Sequence, residues 1–420
     1  MRGLPSEVPA ALLFLACLLS LSVVAQPYED GKFQGRIAYS ADGNHNDPDD
    51  WAASPVALAI LAEAGLRDRL VHFDYNCILS ATDPEWEKKH ADSVLGAARG
   101  YGYDEALFFD CRKNLAGALA GLVQAINDSS ATNPLYFIIA GPMEVPFRAI
   151  EKSAPDKRRF VYCISHSRWN DGYASDYKFA FTKRNVIGQD VHWIQIQDQN
   201  RLLSFGRYGR PAAPEEFAPY FWMRDSHDAK VRFLWDRMLV STRPDPSDAG
   251  MAWFLTTGDE ECTSAKLKRL LDEHQLPSPT AGRRQIRVEA ENFRHLTGFM
   301  VEGRKDKEAS HQLNLLATGN TGSIRTRIDE PFMARAARYD VVIHHREALT
   351  QRSHYTFSIN DVPSGGAWDS ASSNWTNHVI RAVELRMGDE VMLNVKGAPC
   401  RLDYVQFNLL NPGEPQVPRP

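Results

Sequence analysis

The stretch SADGNHNDPDDWAAS, residues 40–54, sets four Asp, two Asn and one His within the nine positions from Asp42 to Asp50. Two ionised carboxylates about 4 Å apart repel by roughly 4 kcal/mol at an effective dielectric of 20. A helix N-cap uses one Asp and contributes about 1 kcal/mol, so an acidic turn before a helix explains one of these side chains, not four. Ionised carboxylates gather where a positive charge bridges them, and a hard divalent cation does this well. Ca²⁺ takes about six to eight oxygens from Asp, Asn, carbonyls and water. The spacing of Asp42, Asn44 and Asn46 resembles an EF-hand loop, but Asp47 stands where Gly is needed and Ala53 where the bidentate Glu belongs. His45 has no second His at a zinc-ligand spacing beside it.

Carboxylates from distant parts of the chain need a scaffold to bring them together. From about residue 35 to 275, the apolar runs GRIAYS, RLVHFDY, ALFFD, PLYFIIA, RFVYCIS and VHWIQIQ alternate with helix-like stretches such as SPVALAILAEAG and NLAGALAGLVQAIND. Continuous apolar runs suit strands buried on both faces, and alternation with helices predicts an α/β, doubly wound, mostly parallel sheet. Ligands of such sheets bind outside the carboxyl ends of the strands. The polar motifs fall at those ends. They are the Asp-rich turn after GRIAYS, Asp74 and Asn76 in DYN, Glu144 in GPMEVP, and His166 and Asn170 in SHSRWND. Asp248, in DPSDAG ahead of the helix-like MAWFL, adds a further carboxylate. Each has a plainer reading: an N-cap for Asp248, ordinary polar strand ends for Asp74 and Asn76, a hydrogen-bonded turn for His166. Similarly, His72, His192 and His227 read as structural, and DKRR and GRKDKE as solvated charge runs.

The 420 residues predict two domains. From about 286 the pattern becomes short strands with turn residues between them, which predicts a C-terminal β-sandwich over 286–410 behind a linker at 276–285. The Pro-rich tail, 411–420, reads as disordered. Residues 1–25 carry Arg2, the apolar ALLFLACLLSLSVV and small residues before Gln26, the pattern of a secretory signal. This predicts a secreted or periplasmic protein with no membrane attachment once the leader is removed. The net charge of −5 offers no basic footprint for a nucleic acid polymer or an anionic membrane. Beyond the leader, Cys77, Cys111, Cys163, Cys262 and Cys400 form neither a disulfide framework nor a zinc motif. A Cys77–Cys111 bond in an oxidising compartment stays open. Nothing in the sequence sets the oligomeric state.

DGNHNDPDDWAASPVALAI resembles the amino-terminal signature of the nucleoside hydrolase superfamily. AGPMEVPFRAI is similar to that family's Gly-Pro-Leu-Thr-Asn segment, and DPSDAGMAWFL takes the place of its late His-Asp motif. The resemblance spans roughly residues 35–270. It implies one Ca²⁺ held by Asp42, Asp50, the Ala140 carbonyl and Asp248, with a clustered Asp, Asp49, as base for a water. Placement on the strand-end rim makes Asn44, Asp74, Asn76 and Asn170 candidate substrate contacts. The turn is one residue longer than the family's usual DTDPGIDD, and Ser247 replaces the His that helps a nucleobase leave. His45 or His166 would then supply a different acid. The chain thus resembles an exported, divergent branch often labelled probable agarase.

IRVEAENF and CRLDYVQFNL resemble the two edges of a family 6 or 35 carbohydrate-binding module, which implies a second, structural Ca²⁺ on Glu289, Glu291 and Asp403. Trp368 and Trp375, in a Gly/Ser-rich stretch, are candidate stacking platforms for a sugar ring. The expectation is a secreted glycosidase that uses calcium to cut an extracellular oligo- or polysaccharide by attack of water on an anomeric carbon, with O-glycosyl substrates ahead of N-glycosyl ones. The alternatives are an exported ribonucleoside hydrolase and a non-catalytic, calcium-dependent glycan-binding protein; lyase chemistry stays open.

Overall fold

A computed structural model describes residues 27–29, 31–45, 48–80, 83–172, 181–207, 209–279, 284–303, 306, 308–334, 336–347, 352–397 and 399–410. The leader-like segment, Asn46, Asp47, positions 280–283 of the linker and the Pro-rich tail lie outside them. Among the described residues no helix is long and apolar enough to cross a membrane.

The six apolar runs form one parallel sheet: β1 (Arg36–Ala41), β2 (Leu70–Tyr75), β3 (Phe108–Asp110), β4 (Leu135–Ala140), β5 (Val161–Ser165) and β6 (His192–Gln195). Their order is β3-β2-β1-β4-β5-β6. The chain winds outward from β1 in one direction and from β4 in the other, so the switch point lies between these two strands. They run in register, with Ala41 beside Ala140 at their carboxyl ends. Alternate side chains explain the unbroken apolar runs. Tyr136, Ile138 and Ala140 of β4 join one core, while Leu135, Phe137 and Ile139 join the other.

The first core is covered by α1 (Asp50–Glu63), α2 (Pro84–Tyr101), α7 (Ala229–Val240), α8 (Ala249–Thr257) and α9 (Ser264–Leu271). The second is covered by α3 (Leu115–Asn127), α4 (Glu144–Lys152) and α6 (Lys183–Ile187), with the short α5 (Arg168–Gly172) following β5. The sequence reading passed over α2, whose start is set by Asp83 accepting from the Glu85 and Trp86 N–H groups and whose end is set by Gly102 at φ 74°. α1 and α8 are unusual for surface helices: every residue from Asp50 to Leu61 and from Ala249 to Thr257 is buried. Both are apolar all round, as buried helices are, and each begins at an Asp.

The C-terminal half is antiparallel. Its strands are β7 (Gln285–Glu289), β8 (His295–Thr297), β9 (Phe299–Gly303), β10 (Leu313–Ala317), β11 (Thr321–Arg327), β12 (Ala336–Glu347), β13 (Ser353–Ile359), β14 (Val362–Ser370), β15 (Thr376–Arg386), β16 (Glu390–Gly397) and β17 (Cys400–Leu409). One sheet runs β9-β10-β17-β12-β15 with β7 also on β17, and the other runs β8-β11-β16-β13-β14. Both sheets contribute to one apolar core, compatible with a sandwich.

The two halves are joined by specific bonds. The Arg184 guanidinium on α6 donates to the carbonyls of Glu291 (3.3 Å), Phe293 (2.6 Å) and Arg294 (2.5 Å). Lys183 Nζ lies 3.3 Å from Glu291 Oε1, both groups buried, and His192 Nδ1 lies 2.8 Å from Asp329 Oδ2.

Candidate active site

The Asp-rich turn leaves β1 and enters α1 at the switch point. The Asp42 and Gly43 N–H groups both donate to Asp50 Oδ2, at 3.0 and 2.9 Å. Gly43 N–H also lies 3.1 Å from Asp42 Oδ1. Gly43 adopts φ +46°, and a Cβ there would meet the His90 ring at 2.5 Å, so the turn requires glycine. Asp49 and Asp248 occupy the N-cap positions of α1 and α8, yet neither side chain makes a capping bond. Instead, oxygens of Asp49, Asp50 and Asp248 come within 4.8 Å of one another. The positive ends of two buried helices thus meet at one cluster of carboxylates, which favours negative charge there.

That favour is incomplete. Burial, then Asp42, Asp248 and Asp49, hold the Asp50 carboxyl well above the usual range. Burial, with Asp248 adding, pushes Asp42 up to about 6. Asp42 Oδ2 and Asp50 Oδ1 are buried with no hydrogen-bond donor. Two bare buried oxygens beside two further carboxylates form a donor set suited to a hard divalent cation. The Tyr39 hydroxyl lies beneath the cluster, held well above its usual range by burial and by the charges of Asp248, Asp50, Asp49 and Asp42.

His166, just past β5, holds Asp248: Nε2 to Oδ1 is 2.5 Å. On its other side the Gln199 N–H donates to Nδ1 at 3.3 Å, and Asp198 Oδ1 lies 3.7 Å away. Burial opposes a charged ring, but Asp198 and Asp248 outweigh it and raise the group to about 9. The Gln199 contact requires a bare Nδ1, whereas 3.7 Å is too long for a bond to Asp198. The Gln199 contact thus describes the neutral ring, its one proton on Nε2 and donated to Asp248; below about 9 the ring takes a second proton on Nδ1, which faces Asp198. A buried pair, Arg243 Nη2 to Asp245 Oδ2 at 2.6 Å, with Ser204 donating to the same oxygen, fixes the turn that carries Asp248.

The remaining sequence candidates divide. Asn44 is buried with both ends of its amide paired to the Ile78 backbone, at 2.9 and 3.0 Å. Asn76 accepts from His90 Nδ1 at 3.1 Å and donates to the Glu87 carbonyl. Asp74 belongs to a separate buried cluster, accepting from Ser40 at 2.6 Å and Cys77 at 2.8 Å and paired with His72 at 2.8 Å. These three position loops, and Asp74 also draws together with Cys77 and Cys111, ligand atoms of all three lying within 4.8 Å of one another. Asn170 is buried on α5, and His45 is half-buried on the Asp-rich turn. Cys77 and Cys111 are free thiols 3.9 Å apart.

In the sandwich, Ser310 bridges Glu289 and Asp403, its hydroxyl bonding both and its N–H reaching Asp403 at 3.0 Å. Burial pushes Glu289 up to about 8, with Glu291 and Asp403 adding, and pushes Asp403 up to about 7. With Lys183 on Glu291, these three carboxylates do not draw together as Asp49, Asp50 and Asp248 do. Trp368 is stacked on both Tyr355 (5.1 Å) and His378 (3.9 Å). Trp375 stacks on His344 at 5.0 Å and donates to Asp306 at 3.0 Å.

A cleft of about 640 Å³ opens beside His166, lined by Trp169, Asp198 and Arg201 of the first half and by Arg287, Ser310 and Gln312 of the sandwich. Sequence reasoning missed these residues. Trp169 sits inside the quoted SHSRWND motif, whereas the others come together only through the contact between the halves.

No family model matches the chain. It is 30% identical over 243 residues to the "Uncharacterized protein P22" of Formosa agariphila, covering 54% of this chain and 84% of that protein. Solved structures with some likeness include a family 35 carbohydrate binding module from Clostridium thermocellum, at 16% identity and TM-score 0.26, over 30% of this chain and 98% of that one. A GH26-CBM35 beta-(1,4)-mannanase from Podospora anserina shows 17% identity and TM-score 0.26 over 32% of this chain and 29% of that one. At these TM-scores the functional reading rests on the geometry of the site.

Proposed function

The chain belongs to the family of protein P22 of Formosa agariphila, a membership that names no activity, and we propose that it is a metal-dependent hydrolase of glycosyl bonds. One observation carries this reading: Asp49, Asp50 and Asp248 draw together at the switch point of a doubly wound sheet, with Asp42 beside Asp50, and two buried oxygens there have no donor. The first half would act as a nucleoside hydrolase-like catalytic domain and the second as a carbohydrate-binding module.

Asp42, Asp50, Asp248 and the Ala140 carbonyl would hold a divalent cation of the Ca²⁺ class. Bound there, it would orient sugar hydroxyls and polarise a water. Asp49 is the most exposed of the four carboxylates, at 9% against 0% for Asp50, which suits it to accept the proton of an attacking water. His166 fixes the orientation of Asp248 and keeps a proton on Nε2. Ser247 is buried with its hydroxyl on Asn200 Oδ1 at 3.2 Å. Position 247 itself thus offers no imidazole to a departing nucleobase, and the nearby His166 ring is engaged with Asp248, which favours an O-glycosyl substrate over a nucleoside. A second calcium on Glu289, Glu291 and Asp403 would have to compete with Lys183. An extracellular polymer as the substrate follows from the leader-like residues 1–25 and is part of the proposal.

The test is a screen of the protein on polysaccharides, oligosaccharides and nucleosides, with added calcium and with chelator. Calcium-dependent release of reducing ends, lost in Asp49→Asn, is expected. Hydrolysis of nucleosides alone, or turnover indifferent to chelator, would overturn the reading.

A further inference from the structure

The cleft beside His166 is walled by both halves of the chain, and its charge is lopsided. Arg168 and Arg201 from the first half and Arg287 from β7 line it, against one carboxylate, Asp198. The Arg287 guanidinium lies 4.0 Å from the Tyr404 ring centroid and donates to Gln406 Oε1 at 3.2 and 3.0 Å, and its charge also acts on the nearby Glu289 and Asp403 carboxyls. Stacking of this kind fixes the planar fork while leaving its charge available. Arg201 is exposed and makes no ion pair among the described residues. The indole of Trp169 adds an aromatic surface to the same wall. A volume of about 640 Å³ lies within the range of small-ligand sites.

We infer that this cleft selects an anionic glycan, its carboxylate or sulfate groups received by Arg201 and Arg287, so that the β-sandwich is part of the substrate site. The inference rests on the glycosidase reading above and deepens it by naming the substrate class. Arginine suits both oxyanions because its donors match two oxygens at once. The cleft reaches the acidic centre through Asp198, 3.7 Å from His166 Nδ1, and His166, 2.5 Å from Asp248. The acidic centre itself repels anions, so the cleft would hold the charged groups of the substrate to one side of it.

Isothermal titration of the full chain in calcium with three probes tests this: a tetragalacturonate, a sulfated carrageenan tetrasaccharide and cellotetraose. One or both acidic probes should bind at least about tenfold more tightly than cellotetraose, and the pair shows whether carboxylate or sulfate is preferred. Affinity should fall as salt is raised. Arg287→Gln and Arg201→Gln should each weaken acidic binding about tenfold or more, the loss of a charge-assisted hydrogen bond. Because Arg201 is exposed, its replacement leaves the fold intact, which unchanged thermal melting would verify. Equal binding of cellotetraose, no binding of any probe, or indifference to both substitutions would overturn the inference. Release of reducing ends is scored separately. Acidic binding without hydrolysis would leave this inference standing and sink the glycosidase reading, whereas hydrolysis of neutral glycans alone would do the reverse.

Discussion

His166 Nε2 stands 2.5 Å from Asp248 Oδ1, although the two residues lie 82 positions apart in the chain. The contact turns an N-cap position into part of a site, because the Asp248 carboxylate serves the imidazole instead of its own helix. Partners that orient metal-binding carboxylates typically contribute 10- to 100-fold in metal affinity. His166→Ala should therefore weaken calcium binding by about that factor, read by terbium luminescence competition. Unchanged affinity would reduce His166 to a packing residue.

Asp50 is fully buried among like charges, with one oxygen on two backbone N–H groups and the other bare. Asp50→Asn can keep the backbone contacts while removing the charge. In chelator this variant should be at least as stable as the parent, since each relieved repulsion is of order 1 kcal/mol or more. The parent should gain about 2.7 kcal/mol from calcium at a hundred times its dissociation constant, and the variant should gain none. Denaturant titrations with and without calcium give both numbers.

His90 adds a pH dependence. Burial, with the Arg237 charge adding, lowers its imidazole to about 3, and it is neutral in the fold, bonded to Ser54 and Asn76. Below about 6.5 the unfolded chain takes up a proton that the folded chain refuses. Stability is then present in full above 6.5 and lost as pH falls towards 3, at about 1.4 kcal/mol per unit. Thermal melts between pH 7 and 4 should show this slope, reduced in His90→Gln.

Lys183 is buried and ties Glu291 to the first half. Removing one member of a buried pair typically costs 3–5 kcal/mol, so Lys183→Met should destabilise the chain by about that much. Calcium should recover part of the loss in the variant if Glu289, Glu291 and Asp403 can hold the ion once the ammonium is gone. A loss under about 1 kcal/mol would show that the contact contributes little.

The sheet was legible because its strands are buried on both faces, which writes unbroken apolar runs into the sequence. Helix α2 was not, since its outward face is rich in Glu and Lys and dilutes the apolar pattern. The turn of the acidic centre could be read from local density, since Asp42, Asp49 and Asp50 are crowded together in the chain, whereas Asp248 looks like an ordinary N-cap and joined them as a ligand only through the family resemblance. Asn44, Asp74 and Asn76 look equivalent to them in sequence, yet each is spent on neighbouring loops, a difference set by tertiary pairing. Trp368 looks like a free platform in a Gly/Ser-rich stretch, but Tyr355 and His378 already engage its ring. Arg287 gives no sign of a role, because the cleft it lines exists only where the two halves touch.

The opposing helix ends at Asp49 and Asp248 carry a consequence for assembly. Partial positive charge from two backbones is built into the fold itself, so the chain has an internal counterweight to its crowded anions before any ion arrives. With the metal held as proposed, folding and loading would be separable events: the polypeptide would reach its final shape in a calcium-poor environment and be switched on later, wherever the ion is abundant.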